Sequence, residues 1–410
     1  MALIKRLILP LQYLTIGIFF ILLPLLFLYC RIRYFLKRVF KKKPNILFSF
    51  LGIQINFLTA KAVKTQGFSA NVYMLSCAPF VENICWGFNL KKHFILRYLV
   101  YLTDYTLIFI WACIFYDIFE FNFRGGLLMH SHLQKIEPQL LKILAKKVVI
   151  YGYGSDCKIL SDVKKQAKYN NAMDRDGSSE NINDNITRKN VERAKRYANV
   201  LIAGGDLIHF GSKGIFMPLA FDLKPWKFKA LKKKKIITII HSTNHRSHKG
   251  SRFIIEAMEK LQKNGLPINF NLIEGKSYKN CRKLYYQGDI FITDVITGWH
   301  GLTACEAMAL GRPVIAYLRP DIKPFHNYYA KDIPVVSANP DNLEKQVKKL
   351  VSDFKLRREL GQRGRQYVIK YHFLDFVGAL RAVVYDFIWQ NKKINQKIFE
   401  QEIKRRKVIV

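Results

Sequence analysis

Gly298-Trp299-His300-Gly301-Leu302-Thr303-Ala304-Cys305-Glu306-Ala307-Met308-Ala309-Leu310-Gly311-Arg312, followed by Pro313-Val314-Ile315, is the stretch that decides the fold. The apolar run 289–293 ahead of it predicts a buried strand, and the glycine-bearing segment predicts a turn. Leu302 onward predicts a short helix closed by Gly311, and 313–317 a second strand. That order sets the free backbone N–H groups of a helix start at the C-terminal edge of a parallel sheet, where they can hold a phosphate. Gly298, His300, Gly301, Leu302 and Thr303 form this turn and helix start. Glu306 falls just past the first helical turn, placed to accept hydrogen bonds from a sugar hydroxyl. A nucleotide sugar requires both contacts.

Upstream, the strand 236–240 runs into His241-Ser-Thr-Asn-His245-Arg246-Ser-His248-Lys249-Gly250. A helix follows, with Ile254, Ala257, Met258 and Leu261 on one face. Arg246 and Lys249 therefore lie at another helix start, where their charges reinforce N–H groups against an anion. Glu274 ends a strand, placed either to touch a base or to cap the next turn. The histidines at 241, 245 and 248 cluster in a cationic loop without a convincing metal set, and the pair His130 and His132 lacks a third ligand, so no metal site is expected.

With these residues in place, the chain resembles the retaining glycosyltransferases of the GT-B fold, group 1, also called family four, of the bacterial surface-polysaccharide type. The resemblance rests on Asn244 through Gly250, Asn271-Leu-Ile-Glu274-Gly275, Gly288-Asp289-Ile-Phe-Ile and Gly298 through Pro313. Weaker echoes occur at Asn45-Ile-Leu-Phe-Ser, Tyr116-Asp117-Ile-Phe-Glu-Phe and Val148 through Asp156. The resemblance implies an α/β chain of two Rossmann-like doubly wound domains facing a cleft, with acceptor held by the first and nucleotide sugar by the second. It implies transfer of a sugar, in all expectation a hexosyl group, from a UDP- or GDP-sugar with retention and without a metal ion. Arg246, Lys249 and Glu306 would be the working residues, with Gly52, Tyr153 and Asp156 on the acceptor side.

Two departures stand out. The family usually carries two glutamates eight positions apart; Glu306 matches the second, but Gly298 occupies the position of the first. Asp294, at the preceding strand end, is the candidate substitute. Tyr153 falls where many relatives place a histidine, and a tyrosine is a poor base near neutral pH.

Composition bears on location and partners. Lys and Arg number 67 against 30 Asp and Glu, a net charge of +37, which attracts polyanions. Leu7 through Cys30 carries no charge and exceeds the ~20 residues needed to cross a hydrocarbon core. Arg31, Arg33, Lys37, Arg38 and Lys41 to Lys43 follow directly, against Lys5 and Arg6 before. This excess predicts an anchor, spanning or (given Pro10 and Pro24) re-entrant, with the rest of the chain on the cytoplasmic face of the cell membrane against anionic lipid. The acceptor would then be lipid-linked or a membrane glycan such as a lipopolysaccharide core. Cys30, Cys77, Cys85, Cys113, Cys157, Cys281 and Cys305 show no metal-ligand spacing and read as reduced thiols. Rival readings are a nucleotide-sugar epimerase of the same fold, or a basic membrane- or nucleic-acid-binding protein. No stacking-aromatic or recognition-helix pattern supports nucleic acid as a partner.

Domain limits follow: 1–43 anchor and basic segment, 44–225 acceptor domain, 226–372 nucleotide-sugar domain, and 373–410 a helix returning to the first domain plus a basic tail. Within the first domain the pattern predicts one helix near 98–112, buried in the core, and a polar surface loop over 171–190.

Overall fold

The structure is a computed structural model and describes residues 2–52, 54–77, 94–154, 156–163, 168–169, 183–207, 214–322 and 332–408. Two parallel sheets organise it. The first contains β1 (Asn45–Gly52), β2 (Ser69–Cys77), β3 (Ile118–Phe121), β4 (Lys147–Tyr151), β5 (Val200–Ala203) and β6 (Gly214–Phe216), in the order β2-β1-β3-β4-β5-β6. The second contains β7 (Ile237–Ser242), β8 (Ile268–Ile273), β9 (Ile290–Ile292), β10 (Val314–Ala316) and β11 (Val335–Ser337), in the order β11-β10-β9-β7-β8. Central strands β3, β4 and β9 are buried along their whole length, which is why they are predominantly apolar. In each sheet the first two strands lie in reversed order, so the order switches between β1 and β3, and again between β7 and β9. A crevice opens beyond the strand ends at such a switch.

The segment expected to be an anchor forms one helix, Ala2–Val39, continuous through Pro10 and Pro24. Its portion Ile8–Val39, mean hydropathy 2.3, is long and apolar enough to cross a membrane by length and composition. The expected single helix near 98–112 is two, Phe94–Leu102 and Thr106–Phe115, broken at Asp104 and Tyr105, both at positive φ. The break has a polar cause: Asp104 is buried and accepts hydrogen bonds from Ser131 Oγ at 2.5 Å and His132 N at 3.0 Å. Nor is the second half of 171–190 a loop. Helix Asp184–Tyr197 starts there, its Asn183 side chain accepting from the Ile186 N–H; residues 170–182 fall outside the described set.

The chain crosses between sheets at two adjacent points. Phe221 N donates to His372 O at 2.7 Å, and His372 Nδ1 donates to Leu219 O at 2.9 Å. Helix Leu374–Trp389 then returns onto the first sheet's Gln54–Thr65 helix, so closely that a β-carbon at Gly378 would lie 2.2 Å from Ala62 O. Arg381 from this helix meets Glu120 of β3 at 2.6 Å, both side chains 2% exposed, and Tyr385 OH donates to the other carboxylate oxygen at 2.7 Å. Helix Gln396–Arg405 adds Phe399 and Ile403 to the same core.

Removing one partner of a buried pair strands a charge, whereas replacing both does not. Arg381→Ala is therefore expected to cost about 3–5 kcal/mol in a urea titration. The double change Glu120→Leu with Arg381→Met should cost less than that single one.

Candidate active site

The C-terminal strand edges of the two sheets border a cleft of about 240 Å3. On the second-sheet side the wall comes from the loops after β7 and β9: Lys249, Asp294, Thr297, Trp299, His300, Gly301 and Leu302. On the first-sheet side, Gly152 and Tyr153 follow β4, Gly204 to Leu207 follow β5, and Pro218 and Leu219 follow β6.

Asp294 builds the β9 loop. Its Oδ1 accepts from Ile296 N at 3.0 Å and Thr297 N at 2.9 Å, its Oδ2 accepts from Thr297 Oγ1, and Lys249 Nζ stands 3.5 Å away. Val295 N donates to Lys249 O at 3.2 Å, so backbone and side chain both tie the β7 loop to the β9 loop. Lys249 projects from the one-turn helix Arg246–Lys249 towards the start of helix Leu302–Ala309. A methyl group placed on Gly301 would lie 3.6 Å from Lys249 Nζ. A cation and the unpaired N–H groups of a helix thus meet at the cleft wall, an arrangement suited to an anion. Gly298, at φ +106, passes so close to Arg319 that a β-carbon would sit 2.1 Å from its Cδ.

Other sequence candidates sit apart from the cleft lining. Arg246 is half exposed on the rim and paired with Glu274, Nε to Oε1 at 2.8 Å and Nη2 to Oε2 at 2.5 Å. Each holds the other ionised, Glu274 below the usual carboxylate range. Glu306 is 4% exposed and turns towards helix Tyr278–Tyr285, hydrogen-bonded to Tyr278 with Arg282 nearby. Burial pushes its carboxyl up to about 8, against the opposing pull of Tyr278 and Arg282. Thr303 lies beside it, hydrogen-bonded to the buried Tyr285.

On the first-sheet wall, Tyr153 OH donates to Asn56 Oδ1, and burial holds the phenol well above its ordinary value. Asp156 accepts from Tyr153 N at 3.0 Å, Gly154 N at 2.8 Å and Phe123 N at 3.2 Å, a loop-fixing set. Gly52 ends β1 just ahead of Ile55, which lines the cleft. Sequence reasoning passed over Asp206, which lines the cleft and pairs with Lys158 at 2.6 Å. Burial would lower the Lys158 ammonium, but Asp206 holds it above its ordinary value. The available signal was Gly204-Gly205-Asp206 directly after an apolar strand.

Among the described residues, ligand-type atoms of His300, Cys305 and His372 lie within 4.8 Å of one another. His241 joins β7 to β9 through Ile292 O at 2.8 Å and meets the helix Ser251–Lys263 through Ser251 Oγ at 2.7 Å. Burial takes it down to about 4.

Two opposite pH dependences follow. Glu306 keeps its proton in the fold to about 8 but loses it near 4.5 when unfolded, so its stabilising contribution falls away as pH rises through that window. Glu306→Gln should raise the thermal midpoint relative to the parent at pH 8, and the gap should close towards pH 5. His241, His248 and His372, each lowered to about 4 mainly by burial, contribute stability that is lost as pH falls from 6.5 towards 4. Thermal unfolding across pH 4–9 measures both.

Residues 262–367 match the family described as glycosyl transferases group 1. Among solved structures, sucrose-phosphate synthase from Thermosynechococcus elongatus is similar, with a TM-score of 0.58 and 12% identity over 86% of this chain and 100% of that one. HepE from Anabaena in complex with UDP-glucose gives 0.54 and 12% over 84% and 99%. No curated protein matches the sequence. At such identities the structural likeness speaks to fold, and the fold is GT-B. The group 1 segment lies in the second sheet and its helices, so the likeness to glycosyl transferases of that group is carried by this half of the GT-B fold.

Proposed function

We propose that the chain is a membrane-associated glycosyltransferase, taking a sugar from a nucleoside diphosphate sugar and passing it, with retention, to a lipid-linked or glycan acceptor at the cytoplasmic face. Lys249 carries the reading. Its ammonium stands beside Gly301 at the start of helix Leu302–Ala309, in the wall of a cleft shared by both sheets. HepE binds UDP-glucose on the same fold, which supports a nucleotide sugar as donor.

Departure of a nucleoside diphosphate develops negative charge on its bridging oxygen. A fixed ammonium and helix N–H groups at that point stabilise the transition state more than the ground state. In this reading they supply the positive charge, and no metal is required. Asp294, considered above as a substitute sugar ligand, already accepts three hydrogen bonds from its own turn. Its role here is to aim Lys249. Glu306 and Thr303 brace the same helix against helix Tyr278–Tyr285, and in this reading the ribose end lies on that side of the helix start, towards the Arg246–Glu274 pair. The acceptor hydroxyl enters along the wall of Tyr153 and Gly204 to Leu207, on the face the diphosphate leaves. The helix Ala2–Val39 and the cations after Cys30 support the membrane location.

Lys249→Ala is expected to cut transfer at least tenfold, about 1.4 kcal/mol of barrier. Arg246→Ala, outside the cleft lining, should cost less. Radiolabelled sugar incorporation into membrane extracts, run with UDP- and GDP-sugars, measures both, and a near-normal rate in Lys249→Ala would remove the assignment. The parent should also gain about 2.7 kcal/mol of stability from its nucleotide at a hundredfold excess over Kd.

A further inference from the structure

The N-terminal helix does not stand free of the first domain. A narrow stripe of it, with Gln12, Phe19, Leu26 and Cys30 buried, follows the domain along its length. At one end the rings of Tyr13 and His132 lie 5.3 Å apart, and Gln12 Nε2 donates to Tyr101 O at 2.8 Å. Midway, Phe19 meets Phe109 at 5.9 Å. At the other end Cys30 reaches Cys113 O, and Arg33 and Lys37 pair with Asp117 at 3.1 and 2.6 Å. From Tyr13 to Arg33 the helix rises about 30 Å, the thickness of a whole hydrocarbon core.

We infer that this helix lies in the plane of the membrane, beneath the first domain, rather than crossing the bilayer. The inference rests on the membrane association proposed above. Crossing would immerse whatever packs beside Tyr13, and that neighbour is polar: exposed His132, held by the buried Asp104, which also accepts from Ser131. Polar groups carried into hydrocarbon without water cost several kcal/mol each. The charge pattern agrees, since Lys5 and Arg6 precede the apolar run and Arg31 to Lys43 follow it. Lying flat keeps both clusters on one side, whereas crossing translocates the first. Exposed Tyr98, Leu99, Tyr101, Leu107 and Phe115 of the two neighbouring helices add to the apolar surface of Leu14, Ile21, Leu25 and Leu28. The partner is an anionic bilayer, matched by the cations at both ends of the apolar surface. His132 belongs to the loop after β3, at the sheet edge that lines the cleft. The helix therefore brings the cleft's acceptor side down to the lipid surface.

The test uses the full chain with a protease-removable epitope fused before Met1, expressed in bacteria. In intact spheroplasts treated with external protease the epitope should survive, and in inverted membrane vesicles it should be removed. Removal from intact spheroplasts overturns the in-plane arrangement while leaving membrane association standing. A second arm sediments the purified chain with phosphatidylethanolamine vesicles, with and without phosphatidylglycerol. Co-sedimentation that increases with phosphatidylglycerol is expected. A chain that stays in the supernatant with both, whether as monomer or as a dimer hiding the apolar face, overturns the inference together with the membrane reading.

Discussion

The carboxylate of Asp294 is the constraint on which the second-sheet wall of the cleft depends. It spends its lone pairs on the N–H groups of Ile296 and Thr297 and the Thr297 hydroxyl, and it stands against Lys249. One buried group thereby fixes the turn that delivers Gly301 and also the cation beside it. An acid in this position acts through geometry: it holds a positive charge near a helix start that is itself electropositive.

The opposite wall is held by a different device. Two chain crossings side by side, at Phe221 and His372, join the sheets, and the last long helix locks onto β3 through Glu120 and Arg381. The loops that line the cleft all leave the C-terminal ends of parallel strands, after β4, β5 and β6 on one side and after β7 and β9 on the other.

Much of this was legible in the sequence because it is local. The strand, turn and helix around 289–317, the helix at 374–389 and the long apolar N-terminal helix are written in periodicity, glycines and charge. What was not legible depends on distant partners. Nothing near Glu306 reveals that helix Tyr278–Tyr285 buries it, or that Arg246 turns aside to Glu274. The break at Asp104 needs Ser131 and His132, well over twenty residues away. The helix at 184–197 was masked by its polarity: only Thr187, Val191 and Ala194 are buried, too few to mark an apolar face.

Gly298 carries a consequence for redesign. The family resemblance calls for a glutamate there, but here the backbone sits at φ +106 with the Arg319 stem pressed against it. Arg319 is in turn fixed by Asp321 and by its own N–H on Gly298 O at 3.0 Å. Installing an acid at this site would first require removing the arginine, and that step alone forfeits a satisfied buried cation. The two positions therefore have to be exchanged together, the loop being coupled to its neighbour through a single steric lock.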